Sequence, residues 1–340
     1  MHIIDSHFHW WPRSVFEHMA KRSRYPRMTE NQKGGFDYHR DASGPVPFMG
    51  GWTEWYYLDK QLEHMDSLGH QIDVVSSIGP LSIIFSEAEK EDGRDLAMRW
   101  NEEMAGAQQK YPGRFWGAAA VPLVDTRTAI EVVDHAINKL GLMGVNLPSS
   151  VGPDPRIDAE RLEPFYDYVE ELGVPLFLHP TDAVFYDMLS DGYDGALFLS
   201  LGRVIEVSVA AMRLVFSGIM ERHPNLKLVM SHTGGALPYQ AGRMDKNGRA
   251  AKLPKPASHY LKRMYTDTVS PHSAGMKFAI EFYGIDRVMY GTDYPCWQPA
   301  AALKYFAEIG LSEADQRTVM YDNARRILNL KDPAAALAAE

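Results

Sequence analysis

The feature that most constrains this chain is an alternation. Short apolar runs rich in β-branched residues recur from one end of the sequence to the other, separated by segments with helical periodicity. Eight runs have strand length: Ile3–Ile4 leading into Asp5, Asp73–Ile78, Phe115–Val121, Leu142–Leu147, Pro175–Leu178, Leu226–Met230, Met264–Val269 and Arg287–Tyr290. Helical stretches fall over Leu58–Leu68, Asp95–Lys110, Thr126–Leu140, Asp158–Leu172, Val204–Glu221 and Ser273–Phe282. Gly141 and Gly173 stand just beyond two of them, where a left-handed cap residue is expected. Strands joined through helices pair in parallel, and eight such units close most simply into a (β/α)8 TIM barrel. A chain of 340 residues fits one barrel domain, expected over residues 1–330, with 331–340 as an Ala-rich tail that frays.

Two segments exceed what a connection needs. Trp10–Trp55 lies between the first and second strands and Thr181–Leu201 follows the fifth, both rich in aromatic residues. Segments that follow strand C-termini overhang the barrel mouth, where barrel active sites lie, so both are read as substrate covers. The cluster Trp52, Trp55, Tyr56, Tyr57 has two readings, a flat substrate wall containing Trp55 or ordinary core packing.

Composition narrows the partners. A formal net charge of -9 gives no basic surface for a phosphate backbone, so nucleic acid is not expected. The single cysteine, Cys296, excludes an intramolecular disulfide and a cysteine-only metal site, and fits a reducing compartment. Without a charged and apolar leader pattern at the start, or an apolar run of membrane-spanning length, a cytoplasmic location with no membrane contact is expected.

The residues that carry chemistry stand at strand ends. His7-Phe8-His9 closes the first strand, and in extended chain residues two apart face the same way, so both imidazoles can reach one ion. Among thirteen histidines a His-x-His is weak evidence by itself; its position is what gives it weight. His179 ends Pro175-Leu-Phe-Leu-His179, His232 ends Leu226-Lys-Leu-Val-Met-Ser-His232, and Asp293 ends Arg287-Val-Met-Tyr-Gly-Thr-Asp293. Any one of these alone reads more readily as a cap or turn residue than as a ligand. Five at the C-terminal ends of strands in one barrel point to a centre holding a divalent ion on His7, His9, His179 and Asp293, with a position left for water or substrate. Three imidazoles and a carboxylate suit zinc first, with manganese as the alternative. The fourth strand, Gly144-Val-Asn146-Leu-Pro148, ends without the lysine a bridged two-metal barrel needs, so one ion is expected. His232 is either a further ligand or a proton-transfer group; with four ligands already assigned, it is read as the acid/base residue, and Asp293 as able to exchange protons with it.

This pattern resembles the amidohydrolase superfamily, and within it the amidohydrolase-related branch that includes aminocarboxymuconate-semialdehyde decarboxylase. Four stretches carry the resemblance, in the same order: Asp5-Ser-His7-Phe-His9, Gly173-Val-Pro-Leu-Phe-Leu-His179-Pro180, Glu221-Arg-His-Pro-Asn through His232-Thr-Gly-Gly-Ala-Leu-Pro238, and Gly291-Thr-Asp293-Tyr-Pro295. The resemblance implies a distorted barrel, one zinc or similar ion on the four ligands, and His232 as the catalytic histidine. It implies a metal-dependent carboxy-lyase acting on a small unsaturated or aromatic carboxylic acid, with hydrolysis of an ester, lactone or amide by metal-bound hydroxide as the alternative. Relatives that decarboxylate aromatic ring acids often carry glutamate in place of the first ligand histidine; this chain keeps His7. It departs from the branch at Gly51-Trp-Thr-Glu54-Trp-Tyr-Tyr-Leu58, where a substrate-binding arginine would stand, and Arg40 upstream is the nearest substitute. By resemblance, Arg243 reaches into a neighbouring subunit to clamp a substrate carboxylate, which implies a homodimer; the plain alternative pairs it with Asp245.

Overall fold

Period-two alternation in the apolar runs and period 3.6 between them produce the expected layers. The computed structural model describes residues 1–46, 51–181, 184–190 and 192–330. β1 (His2–His9) is followed by a small antiparallel hairpin, β2 (Arg27–Glu30) and β3 (Phe36–His39). β4 (Gln71–Ser77), β5 (Phe115–Ala119), β6 (Gly144–Pro148), β7 (Pro175–His179), β8 (Lys227–Met230), β9 (Tyr265–Asp267) and β10 (Val288–Met289) follow. The main sheet runs β1-β4-β5-β6-β7-β8-β9-β10, parallel throughout. β10 and β1 are joined by backbone bonds beyond the strand end: Ser6 N–H to Tyr290 O at 2.8 Å, Asp293 N–H to His7 O at 2.7 Å, and His9 N–H to Tyr294 O at 2.9 Å. The eight expected strands are all present, and the barrel is nearly closed.

The core has two shells. Inside the barrel, Ile4, Val75, Ala118, Phe177, Val229 and Met289 form one cluster, onto which Tyr321, Ala324 and Ile327 pack from the last helical segment. Tyr321 also lies against the ring of His2, the first residue of β1, so this plug closes the end opposite the strand C-termini. Outside, Val74, Phe115, Val145, Leu176 and Leu228 meet helix residues such as Trp100, Val132, Phe165 and Leu214. Alternation then dictates what stands at the mouth: two residues beyond Phe177 on the interior face comes His179.

Helix boundaries differ from expectation for local reasons. One helix begins at Lys90, ahead of Asp95, with Glu91 and Asp92 in its first turn, where they complement the helix dipole. The stretch from Thr126 is α-helical to Asp134 and then widens into a π turn, His135–Lys139. The stretch read as Val204–Glu221 is two helices, Arg203–Phe216 and Ile219–Arg222, parted by Gly218 at φ +85°. Gly141 and Gly173 take the expected left-handed φ, +72° and +65°.

The first long segment is not a bare loop. It folds into a helix, Arg13–Ala20, the β2–β3 hairpin and a 3-10 turn, Thr53–Trp55, around a small aromatic core of Trp11, Phe16, Phe36 and Tyr56. Its residues 47–50, positions 182, 183 and 191 of the second long segment, and the tail 331–340 lie outside the described residues. Among the described residues no helix is long and apolar enough to cross a membrane.

The helix Thr126–Asp134 offers a direct stability test. The Asp125 side chain accepts the Thr128 backbone N–H at 3.0 Å, and its hydrogen bonds to the Thr128 hydroxyl and amide hold its pKa down at about 2. Asp125→Ala is expected to cost about 1 kcal/mol in urea unfolding. Because the folded pKa is depressed, the contribution is present above the unfolded value, about 3.9, and lost as pH falls through about 2.

Candidate metal centre

Five side chains converge at the barrel mouth. His7 and His9 come from the end of β1, His179 from the end of β7, His232 from the turn after β8, and Asp293 from the segment after β10. The register of β1 on β4 shifts between Asp5 and Phe8, an irregularity that contains His7, and the His7 and His9 rings meet edge to face at 5.0 Å. Ligand-capable atoms of His7, His179, His232 and Asp293 lie within 4.8 Å of one another. His9 joins through Asp293, with Nε2 2.9 Å from Oδ1, and through ring contact with His179 at 5.2 Å. Close approach is bought with missing side chains: a Cβ on Gly291 would meet His7 Cβ at 2.8 Å, and one on Gly79, at φ +73°, would meet the His9 ring at 2.9 Å.

Hydrogen bonding selects the tautomers. His9 Nδ1–H donates to Ser77 O at 3.0 Å and His179 Nδ1–H to Pro180 O at 2.8 Å, because a carbonyl can only accept. His7 Nδ1–H donates to the Asp267 carboxylate at 2.6 Å. Each Nε2 is thereby left as a lone pair directed into the cluster, the arrangement of histidines that bind metal. The buried Nε2 atoms of His7 and His179 have no hydrogen-bond partner. In neutral His9 the Nε2 lone pair faces an Asp293 carboxylate oxygen at 2.9 Å, and His7 Nε2 faces the same oxygen at 3.5 Å. Such acceptor-to-acceptor contacts need a cation between them. Ligand atoms about 2.1 Å from one ion are separated by roughly 3.0–3.4 Å, so these residues fit a divalent metal.

Charge states follow that lone-pair arrangement at His9 and His179 and depart from it at His7. Burial holds His9 and His179 below the ordinary imidazole value, His179 well below it with its neighbouring histidines adding to the effect. Burial would raise Asp293, but the neighbouring imidazoles of His232, His9 and His7 hold it well below the usual carboxylate range. Burial lowers His7 as well; the Asp267 carboxylate outweighs it and, with only protein charges present, raises the pKa to about 9. A proton and a metal compete for that lone pair.

His232 differs from the other three histidines in three respects. Its Nε2 faces the other Asp293 oxygen, Oδ2, at 3.6 Å, and its side chain is 14% exposed where those of His7 and His9 are 5% and 1%. It also borders the cavity above the cluster. Thirdly, it opens a run of four residues with positive φ, His232 (+56°), Thr233 (+54°), Gly234 (+76°) and Gly235 (+63°). For the two non-glycine residues that conformation costs on the order of 1–3 kcal/mol each.

The cavity has a volume of about 1180 Å³ and is walled by Trp11, Trp52, Trp55 and Trp297. Trp55 stacks on His9 at 5.6 Å and on Trp11 at 3.9 Å, so its indole forms a wall beside the metal cluster. The aromatic cluster therefore divides: Trp52 and Trp55 line the cavity, Tyr56 packs in the core, and Tyr57 is exposed. Arg40 is not among the lining residues; its Nε donates to Glu87 at 2.5 Å. Lys33 and Arg203 are the lysine and arginine that do line the cavity. Arg243 faces a different groove, with Met212, Phe216 and Gln240, and Asp245 accepts from Ser258 rather than pairing with it.

Sequence reasoning passed over three buried polar residues. Asp267 ends β9 and holds His7; Asp5 accepts from the Thr292 backbone N–H at 3.0 Å, and burial raises its pKa to about 7 despite those bonds. Asn146 bonds Ala118 O, Ala119 O and Ile78 N–H, tying β5 and β6 to the segment after β4. A usable signal existed for Asp267: it is a charged residue on the interior side of a strand otherwise apolar or hydroxylic.

The amidohydrolase family model matches residues 4–330, and the chain belongs to that family. It is 30% identical over 310 residues to a gamma-resorcylate decarboxylase of Rhizobium sp., covering 86% of this chain and 94% of that one. It is 28% identical over 350 residues to the 2-amino-3-carboxymuconate-6-semialdehyde decarboxylase of Dictyostelium discoideum, covering 97% and 92%. Its fold matches that of a dihydroxybenzoic acid decarboxylase from Polaromonas sp., solved with bound manganese and the inhibitor 2-nitroresorcinol, at a TM-score of 0.77 with 24% identity and 98% of each chain covered.

If the lone-pair geometry holds a metal, His179→Ala and Asp293→Ala will each lower bound metal and abolish turnover, whereas His232→Ala will keep its metal and lose most of its rate. Elemental analysis of the purified proteins decides between these outcomes. A wild-type protein without divalent ion and indifferent to chelators would overturn the assignment.

Proposed function

We propose that this protein is a cytoplasmic, metal-dependent non-oxidative decarboxylase of a small aromatic or unsaturated carboxylic acid, with residues 1–330 acting as one catalytic domain. The observation that carries the reading is the set of inward lone pairs on His7, His9 and His179 around the Asp293 carboxylate, set within a tryptophan-walled cavity. The similarity to decarboxylases of ring and open-chain unsaturated acids supports the choice of reaction. One divalent ion is assigned to His7, His9, His179 and Asp293. The donor set suits zinc, and the manganese in the Polaromonas enzyme supports that ion as the alternative. When bound, such an ion supplies Lewis-acid charge for oxygen atoms of the substrate.

The chain's own groups divide the remaining work. The flat faces of Trp55 and Trp52 position a planar acid beside the cluster and exclude water. His232, at the boundary between cluster and cavity, delivers a proton to the carbon that carries the carboxylate. The electron pair of the carbon–carboxyl bond then remains with that carbon as carbon dioxide leaves, so that R–COO⁻ and H⁺ become R–H and CO₂. Asp293 Oδ2 faces His232 Nε2 and orients the ring for that transfer.

Incubation with 2,6-dihydroxybenzoate, 6-methylsalicylate, 5-carboxyvanillate, lactones and amides, following carbon dioxide and acid production separately, tests the reaction. Carbon dioxide release from an acid, abolished by a chelator, is expected; acid production without carbon dioxide would establish hydrolysis instead.

A homodimer with a substrate-clamping Arg243 is proposed on separate grounds. Arg243 is exposed, is not among the residues lining the cavity of its own chain, and shares its groove with the exposed Phe216. Mixing Arg243→Ala with His232→Ala chains is expected to restore part of the activity, because some mixed dimers would regain one intact site. Absence of complementation despite demonstrated subunit exchange would remove Arg243 from the partner's site.

A further inference from the structure

Asp267 touches both halves of the centre. Its Oδ2 accepts the His7 Nδ1–H at 2.6 Å and the backbone N–H of His232 at 3.2 Å. Its Oδ1 accepts the N–H of Thr233 at 3.1 Å and of Val269 at 3.0 Å. The carboxylate is 2% exposed, so no water competes for these bonds. His232 and Thr233 are the two non-glycine residues of the left-handed run, a conformation that persists only where surrounding contacts over-determine it. One rigid carboxylate thus fixes the ring of a metal-facing histidine and the strained turn that presents the acid/base histidine.

We propose that Asp267 is a positioning residue that couples occupancy of the metal cluster to the placement of His232; the inference rests on the metal reading above. A cation on His7 Nε2 draws electron density from the ring and makes Nδ1–H a stronger donor, which tightens its bond to Asp267. The same carboxylate, held more firmly, holds the His232 and Thr233 amides more firmly. Without the cation, the turn keeps its strain but has a looser anchor. The coupling runs through three named contacts and needs no movement of the barrel.

Asp267→Asn breaks this device in either orientation of the amide. Directed at His7, the NH₂ group forces Nδ1 to accept, which moves the ring proton to Nε2 and removes the lone pair from the cluster. Directed at Thr233 and Val269, it opposes two N–H donors and frees the turn. The variant is expected to bind zinc or manganese about 10–100-fold more weakly in chelator competition.

The deciding measurement is hydrogen exchange by mass spectrometry on peptides spanning 231–235, in protein loaded with zinc or manganese and in protein stripped by a chelator. In wild type, loading is expected to slow exchange there about tenfold relative to the helix Thr126–Asp134; in Asp267→Asn, resupplied with saturating metal, it should have no such effect. If wild type binds metal and the turn does not respond, or if Asp267→Asn retains the response, the coupling is refuted while the metal reading stands. If wild type binds no metal, the metal reading itself fails and the coupling with it. Should Asp267→Asn not fold, as judged by circular dichroism, the loaded and stripped wild-type proteins decide the matter alone.

Discussion

The centre depends on acceptors facing acceptors. Three imidazoles are held by outward Nδ1–H bonds to Asp267, Ser77 O and Pro180 O, so that their Nε2 lone pairs gather around one buried carboxylate. Left to protein charges alone this arrangement is costly, because buried polar atoms without partners lose the hydrogen bonds that water would have given them. It is resolved by a positive charge at the point where the lone pairs meet. A proton can serve one nitrogen at a time. A divalent ion would serve all of them, which is why a geometry that is costly in an apolar core fits a metal site.

The barrel exists in this form to bring those atoms together. Its interior is filled by Ile4, Val75, Ala118, Phe177, Val229 and Met289, and alternation then places His179 at the mouth, two residues beyond Phe177. The plug of Tyr321, Ala324 and Ile327 closes the opposite end, leaving one open face. Local departures from regularity cluster at that face: the register shift in β1, the left-handed run from His232 to Gly235, and Asp293 at φ +60°. Strain of this kind is tolerated where packing and hydrogen bonds around it leave no alternative, and here it aims side chains rather than connecting strands.

How much of this was legible in the sequence follows from the length scale of each signal. The eight strands were legible because each is a short apolar run; His179, His232 and Asp293 because each is the first strongly polar ring or carboxylate beyond such a run, and His7 and His9 because residues two apart at a strand end face the same way. Helix ends were less so, since Gly218 and the π turn at His135–Lys139 act through backbone geometry that periodicity does not record. Asp267 was passed over although it lies inside a run read as strand, because its partner His7 is distant in sequence and adjacent only once the barrel forms. The same holds for Arg203 and Lys33, which come to the cavity from segments whose course no local pattern predicts. Arg40, the substitute suggested by sequence proximity, is engaged with Glu87 instead.

Asp293 shows how one residue can belong to two functions without conflict. Its Oδ1 faces His7 and His9, and its Oδ2 faces His232, so the two oxygens address the metal-facing histidines and the acid/base histidine separately. A carboxylate transmits charge between its oxygens by resonance, so a cation held near one lowers the basicity of the other. In the proposed arrangement His232 therefore stands beside an oxygen that a cation on the far side of the carboxylate would make a weaker base. In the proposed function, proton delivery and metal binding thus meet at one residue, on the two oxygens of a single carboxylate.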